Sequence, residues 1–594
     1  MPTNREFHLE IHDDKGYALM AIGPFGKEYL GHIGRQSTVG DEKVDFKFDY
    51  HFDEFSGGHK ISVFWNGPSH AIFEDCIEFG QKQWFAGPEQ KEQYWPIQNG
   101  RLKKYSIVSK EDGNAAISER YWLNSAGEYI YVAADSPLFV DYHNVLENHL
   151  CLIAEVASPY SKKRTHNSLK YEIWFFENAK IAHQHAVETY LGQPSEVPDY
   201  RMVQYPIWCT WARYSRAINH ESVMEYANEI ISHDFNNAQI VIDDLWEVCY
   251  GSLIVDKTKF PDLKQLTDDL KSIGFRVTMW MHPFINKDCD PWYTEALDNG
   301  YLVLNEEGSP DTTWWNHNGS VSAYIDFTKP DASEWYSTRV RWILDNFGVD
   351  SIKFDAGESS WSPQVPVQEG LDIDIHPAHI VQSYVRKVVD FGPMIEIRAG
   401  IRTQDLPVFV RMVDKDTYWG FNNGLATLPT TLLAMNLNGY TFVLPDMIGG
   451  NGYNEKPSKE LFIRWLQANV FMPVLQFSFV PWDYDEETIE ICHYFTGLHA
   501  EFSEIILAAM EASVKDGTPV NPPIWWIAPT DPETWAINDE FLLGTTVLAA
   551  PVLTELTQER DIYLPAGIWK DGNNGRLIQG PVWLRQYPAP LHVL

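Results

Sequence analysis

From residue 206 onward, short apolar runs of strand-forming residues alternate with helical stretches, and this alternation constrains the fold more than any other feature. The strand candidates are PIWCTWA (206–212), QIVIDDLW (239–246), RVTMWMHP (276–283), SIKFDAGE (351–358), MIEIRAG (394–400), a weaker run near Asp416–Trp419, GYTFVLPD (439–446) and PVLQFSF (473–479). Helical spacing marks ESVMEYANEIISHD (221–234), LKQLTDDLKSIG (263–274) and SEWYSTRVRWILDNFG (333–348) between them. Eight such strands are the number that closes a (β/α)₈ barrel.

Nearly every candidate strand ends in polar or aromatic residues: Trp211, Asp243 with Asp244 and Trp246, Trp280 with His282, Asp355 with Glu358, Arg398, Asp446, and Gln476 with Ser478. In a barrel the C-terminal strand ends form the active-site face, so these groups are expected to converge on one pocket. One such residue could be a buried polar group satisfied by its neighbours. A whole ring of them is not explained that way. The long segment 284–335, with Trp292, Trp314 and Trp315, is expected to be an insertion loop beside that face.

The flanks have a different texture. Up to about residue 200, alternating runs such as KISVFW (60–65), EYIYVAA (128–134), CLIAEVA (151–157) and YEIWFF (171–176) predict a β-sandwich. After about residue 525, FLLGTTVLAAPVL (541–553), DIYLPAGIW (561–569) and GPVWLRQY (580–587) predict a small all-β domain. The expected organisation is therefore a multidomain α/β chain: a β-sandwich at 1–200, the barrel at 201–525, and a C-terminal β domain at 526–594.

A formal net charge of −36 repels phosphate backbones and anionic lipid, so nucleic acid and membranes are poor partners and neutral ligands are favoured. Aromatics make up 14% of the chain, and their flat faces suit the apolar faces of sugar rings. The six cysteines are scattered without C-x-x-C or zinc-type spacing, which argues against a disulfide framework and a structural metal. MPTNREFHLEIHDDKG lacks the basic start and apolar run of a secretory leader, no run is long enough to span a bilayer, and the sequon at Asn318-Gly-Ser320 is a single match. A cytoplasmic location is the expectation, with a secreted or membrane-anchored protein as its alternative, and with no cofactor; self-association is left open.

Carboxylates among aromatics, with no phosphate loop and no G-x-S-x-G elbow, are the equipment of glycoside hydrolysis. One carboxylate attacks the anomeric carbon and the other protonates the departing oxygen. Asp355 is the nucleophile candidate: side-chain alternation along the strand turns Lys353 and Asp355 to the same side, and a nearby cation keeps a carboxylate ionised. A Lys–Asp core pair is the structural alternative.

The chain resembles glycoside hydrolase family 31, the retaining α-glycosidases. FDAGE (354–358) is similar to the family's nucleophile strand, GYTFVLPDMIGG (439–450) to its G-x-P-F-x-G-x-D-I-G-G segment, and RWLQANVFMPVL (464–475) to its R-W-x-Q-x-x-x-F-x-P stretch. DDLW (243–246) with KFPD (259–262), and the C-terminal runs DEFLLGTTVLAAPVL and YLPAGIWKD, follow in the family's order. FAGPEQKEQYWPI (85–97), RMVDKDTYWG (411–420) and LQFSFVPW, reading out of strand eight, resemble an α-galactosidase-like branch, which implies an α-galactosyl substrate.

The resemblance places the acid/base on Asp414, five residues before Trp419, with Asp416 as its competitor; the residue chosen is expected to have a raised pKa. It further implies sugar contacts from Asp243, Trp246, Trp280, Arg398 and Asp446, beside Lys353. The family's usual R-N-H after strand eight is absent here, where the chain reads Gln476-Phe477-Ser478, and this departs from maltase-like specificity. An α-glucosidase or transglycosylase, or a carbohydrate-binding protein without turnover, are the competing readings.

Overall fold

The computed structural model describes residues 7–12, 16–22, 28–36 and 44–593, apart from 112–115, 317, 318 and 369. Strands before residue 44 are described by their backbone alone. Residues 1–6 and 13–15 of the opening segment, and Asn318 of the sequon, lie outside the described residues.

Two antiparallel sheets build the N-terminal region. One sets Phe7–His12, Gly16–Ile22, Glu28–Gln36, Phe73–Glu78, His149–Ala154, Leu138–Tyr142 and Leu102–Ser106 side by side. The other orders Asp45–Phe52, His59–Pro68, His166–Phe175, Glu128–Val132, Tyr121–Asn124 and Trp84–Ala86. Strict alternation is visible in His59–Pro68, where Ile61, Val63 and Trp65 are buried and the residues between them are half-buried. Those inward residues pack with Leu138, Leu150 and Leu152 of the facing sheet.

The barrel strands are β1 (Ile207–Cys209), β2 (Gln239–Ile242), β3 (Val277–Met281), β4 (Ser351–Phe354), β5 (Glu396–Ile397), β6 (Phe409–Arg411), β7 (Val443–Leu444) and β8 (Gln476–Phe477). All paired neighbours run parallel, in the order β7-β6-β5-β4-β3-β2-β1-β8. Across the β7–β8 seam, Ile448 N–H donates to Gln476 O at 2.8 Å. Continuous burial of β1 to β8 explains why these runs read as apolar throughout rather than alternating.

One strand differs from expectation. The sixth lies at Phe409–Arg411, not near Asp416–Trp419, which is irregular, with bends at Thr417 and Trp419. A strand of three residues ending in a charged Arg carries too little apolar signal to stand out.

The insertion 284–335 is not one open loop. It holds the antiparallel pair Phe284–Asn286 and Ser322–Tyr324 and a helix at Trp292–Asp298, and it runs into the helix Pro330–Phe347. Behind the barrel, a 31-residue helix, Glu486–Asp516, leads to two antiparallel pairs: Phe541–Leu543 with Val547–Ala549, and Glu559–Lys570 with Leu577–Pro588.

The cysteine expectation is overturned. Cys76 and Cys151 are bonded across directly opposed strand positions, and Cys249 joins Cys289. The partners are 75 and 40 residues apart, so the pairing is non-local and spacing along the chain does not reveal it. Disulfides persist in oxidising compartments, which counts against the cytoplasmic expectation. Among the described residues, no helix is long and apolar enough to cross a membrane.

Sandwich and barrel meet at the strand-end face. Gly400 N–H donates to Ala116 O at 3.1 Å, Ser360 N–H to Ser109 O at 3.2 Å, and Val413 N–H to the Glu89 carboxylate at 3.1 Å. This contact brings the N-terminal segment around residue 111 to the barrel mouth.

Candidate active site

The strand ends open into a pocket of about 310 Å³. Its floor is set by strand register: Trp280 on β3 lies opposite Lys353 on β4, and Lys353 lies opposite Glu396 on β5. Asp355 follows the last residue of β4, where its N–H still bonds Met281 O at 2.8 Å. The next residue, Ala356, turns to φ +56°, which ends the strand and leaves the Asp355 carboxylate in the pocket.

Two buried arginines organise the carboxylates. Arg411 donates from Nη2 to Asp355 Oδ1 at 2.7 Å and from Nη1 to Asp414 Oδ1 at 2.6 Å. Arg398 donates from Nη1 to Asp414 Oδ1 at 3.2 Å and from Nε to Glu358 at 2.7 Å, and its Nε lies 3.4 Å from Asp355 Oδ1. The second Asp355 oxygen accepts from Trp280 Nε1 at 2.9 Å. Burial works to raise the Asp355 pKa, but Arg398 and Arg411 outweigh it and hold the carboxyl below its usual range.

Lys353 lines the same pocket as Asp355 and helps to lower its pKa, as expected, but less than the two arginines, and its direct partners are others. Its Nζ donates to Asp243 Oδ2 at 2.9 Å and lies 3.9 Å from Glu396. Burial disfavours its charge, yet Asp243 and Glu396 keep its pKa above the ordinary lysine value. The arginines take the place beside Asp355 because β5 and β6 deliver them to it.

Asp414 lines the pocket mouth, whereas Asp416 faces away and accepts from Asn423 Nδ2 at 3.0 Å. The expectation of a raised pKa at Asp414 is not met. Burial pushes it up, but Arg411, Arg398 and the Tyr453 hydroxyl, 2.5 Å from Oδ2, hold it well below the carboxylate range.

The remaining expected residues divide. Asp243 and Trp280 line the pocket. Trp246, Arg398 and Asp446 stand behind its wall. Trp246 donates to Trp280 O at 2.7 Å, so it braces the floor tryptophan. Asp446, fully buried at φ +64°, accepts from Lys415 N–H and Asn451 Nδ2, both at 2.7 Å. It ties the segment after β7 to the loop that carries Asp414. Gly450 permits that approach, since a Cβ there would sit 2.8 Å from Thr417 N.

Several pocket residues escaped the sequence reading. Arg411 was hidden by the misplaced sixth strand. Arg216 pairs with Asp244 at 2.9 Å on the side wall, and Asn451 and Tyr453 extend the segment after β7. Glu111 comes from the sandwich; it accepts from Arg398 Nη2 at 2.9 Å and Trp361 Nε1 at 3.1 Å. Burial, opposed by Arg398, raises its pKa to about 7. Trp315 of the insertion lines the pocket, while Trp314 is buried behind it against His282 and Phe284.

Buried carboxylates held by arginine beside indole rings can bind a polyhydroxylated ligand and exchange a proton with it. Comparison with known proteins agrees. The profile of the glycosyl hydrolases family 31 TIM-barrel domain matches residues 200–406 and 413–507, and that of the family's C-terminal domain matches 517–594. Myogenesis-regulating glycosidase of Mus musculus is 35% identical over 88% of this chain and 75% of its own. SITS-binding protein of Tetronarce californica is 28% identical over 87% of this chain and 74% of its own. The solved structure of a GH31 family sulfoquinovosidase from E. rectale superposes with a TM-score of 0.74 at 17% identity, covering 99% of this chain and 96% of that one. The chain belongs to glycoside hydrolase family 31.

Proposed function

We propose that the protein is a retaining exo-α-glycosidase that removes a terminal α-linked sugar, with Asp355 as nucleophile and Asp414 as acid/base. The observation that carries this reading is that one guanidinium, Arg411, bridges the two carboxylates from its two terminal nitrogens. A gap spanned by a single guanidinium supports the short spacing of about 5–5.5 Å used for retention. Asp355 attacks the anomeric carbon as Asp414 gives its proton to the departing oxygen, forming a glycosyl–Asp355 ester. Water, deprotonated by Asp414, then attacks the same carbon and releases Asp355. The lowered pKa of Asp355 favours the ionised form that a nucleophile needs.

The sugar is read as α-galactosyl, from the galactosidase-like motifs and the absent histidine after β8. Nitrophenyl α-galactoside, α-glucoside, α-xyloside and N-acetyl-α-galactosaminide form the test panel. Release from the galactoside, with the α-anomer of the product appearing first by proton NMR, is the expected result. Preference for the glucoside overturns the galactosyl assignment. Asp355→Asn is expected to lower turnover by about 10⁴-fold or more.

A second reading, a carbohydrate-binding protein without turnover, is favoured by one relative that is named for a ligand it binds. Oligosaccharide binding without release from any glycoside on the panel would establish it.

A further inference from the structure

We propose that the Tyr453 hydroxyl occupies the place of the departing oxygen on Asp414, and that the leaving-group side of a bound sugar displaces it. Tyr453 is thus a positioning residue for the acid/base and then a wall for the leaving group. The inference rests on the reading of Asp414 as acid/base.

The two oxygens of Asp414 are not equivalent. Oδ1 receives N–H groups from Arg411 at 2.6 Å and Arg398 at 3.2 Å, and guanidinium nitrogens donate without accepting. A transferable proton therefore belongs on Oδ2. The group found at Oδ2 is the Tyr453 hydroxyl, at 2.5 Å. Oδ2 has two lone pairs; because Asp414 and Tyr453 both line the pocket, the hydroxyl takes the one that faces it, and a glycosidic oxygen that receives the proton there takes the hydroxyl's place.

Tyr453 is also built to give way. The chain before it is pinned: Asn451 Nδ2 donates to Lys415 O at 3.1 Å and Gly452 N–H to Thr417 Oγ1 at 2.9 Å. From Tyr453 to Lys456 the residues are exposed, and Tyr453 itself is 52% exposed. Gly452, at φ +67°, is the joint between the two parts. The tyrosine ring stands edge-on to Trp211, with centroids 6.5 Å apart, which leaves an aromatic face on the side where the leaving group departs.

The charged groups facing Asp414 are Arg411 on β6, Arg398 after β5, Asp355 after β4, Asp446 after β7 and Glu111 from the sandwich. All of these are held in buried or largely buried positions. Tyr453 is the partner on an exposed segment, so it is the one a ligand can move. Its departure removes one hydrogen bond that favours ionised Asp414, beside the larger hold of Arg411 and Arg398, and so eases the uptake of a proton from solvent at Oδ2. Tyr453 keeps its own proton throughout. The Asp414 Oδ2–H bond breaks, its proton goes to the glycosidic oxygen, and that oxygen takes the electron pair of the broken bond to the anomeric carbon.

The test uses the whole protein and a poor leaving group, the disaccharide melibiose. In Tyr453→Phe, the basic limb of kcat/KM, which reports the free enzyme, is expected to move up by about one pH unit. The basic limb of kcat, which reports the complex, is expected to stay where it is. A merely structural tyrosine would move neither, and that result overturns the proposal. If both limbs move together, Tyr453 stays on Asp414 in the complex and displacement is wrong.

A readout without turnover uses Asp355→Asn protein labelled with 3-fluorotyrosine. The ¹⁹F signal that Tyr453→Phe removes should shift with melibiose but not with galactose. Melibiose binding by calorimetry with no change in that signal overturns displacement alone. No sugar binding and no turnover sinks the glycosidase reading and this inference together.

Discussion

The floor and the mouth of the pocket are built in opposite ways. At the floor, Asp243, Lys353 and Asp355 sit on or beside barrel strands, so sheet register sets their positions. At the mouth, Asp414, Tyr453 and Glu111 come from a loop after β6, a segment after β7 and the sandwich, three parts that meet only in the folded molecule. Carboxylates at both levels pair with buried cations, but the mouth sets one low-pKa carboxylate beside one whose pKa is raised to about 7 and a half-exposed tyrosine. The proposed nucleophile therefore stands on the sheet framework, and its proposed acid/base on segments that only the tertiary fold brings to it.

The strongest way to break this division is at the residue that spans it. Arg411→Lys keeps a positive charge but loses the fork that reaches Asp355 and Asp414 together. We expect kcat/KM to fall by about 10²–10³-fold. The acid limb should rise, because Arg411 is one of the groups that hold Asp355 below its usual range. A loss confined to KM would mean that the arginine serves binding alone.

Gly450→Ala tests the mouth by itself. A Cβ there meets Thr417 N at 2.8 Å, at a backbone φ of +80°, so the two mouth loops must separate. The expected result is a fall in kcat/KM of about 10-fold on disaccharides, with the unfolding free energy lowered by about 1–3 kcal/mol. An unchanged protein would show that the Asp446–Lys415 stitching is not needed.

Glu111→Gln should have the smallest effect. Its pKa is raised from 4.5 to about 7, so the native state binds more protons than the unfolded chain across that window, and stability falls as pH rises through it. The glutamine variant should lose less stability between pH 5 and 8, seen as a melting drop smaller by about 1–2 °C. Parallel curves for the two proteins would refute the linkage.

The same division governs what could be read from the chain. Asp243, Trp280, Lys353 and Asp355 were legible because a buried strand announces itself by an apolar run, and the residue after it then faces the pocket. Arg411 was missed because it ends a three-residue strand and cuts its apolar signal to two residues. Glu111 carries no local pattern at all: only the docking of Ala116 and Ser109 onto the barrel brings it to the mouth. The placement of Arg398 behind the wall was equally illegible, because a strand-end arginine reads alike whether it touches the ligand or the carboxylates. The low pKa of Asp414 depends on two guanidiniums from different strands, which spacing to Trp419 cannot convey.

The Cys249–Cys289 bond ties the loop after β2 to the base of the insertion whose Trp315 forms a pocket wall. A batch made in a reducing host would leave that wall untethered while the floor stayed intact. Two preparations of one polypeptide would then share a turnover chemistry but differ in which aglycones they accept. The thiol content of a sample thus becomes part of its substrate profile.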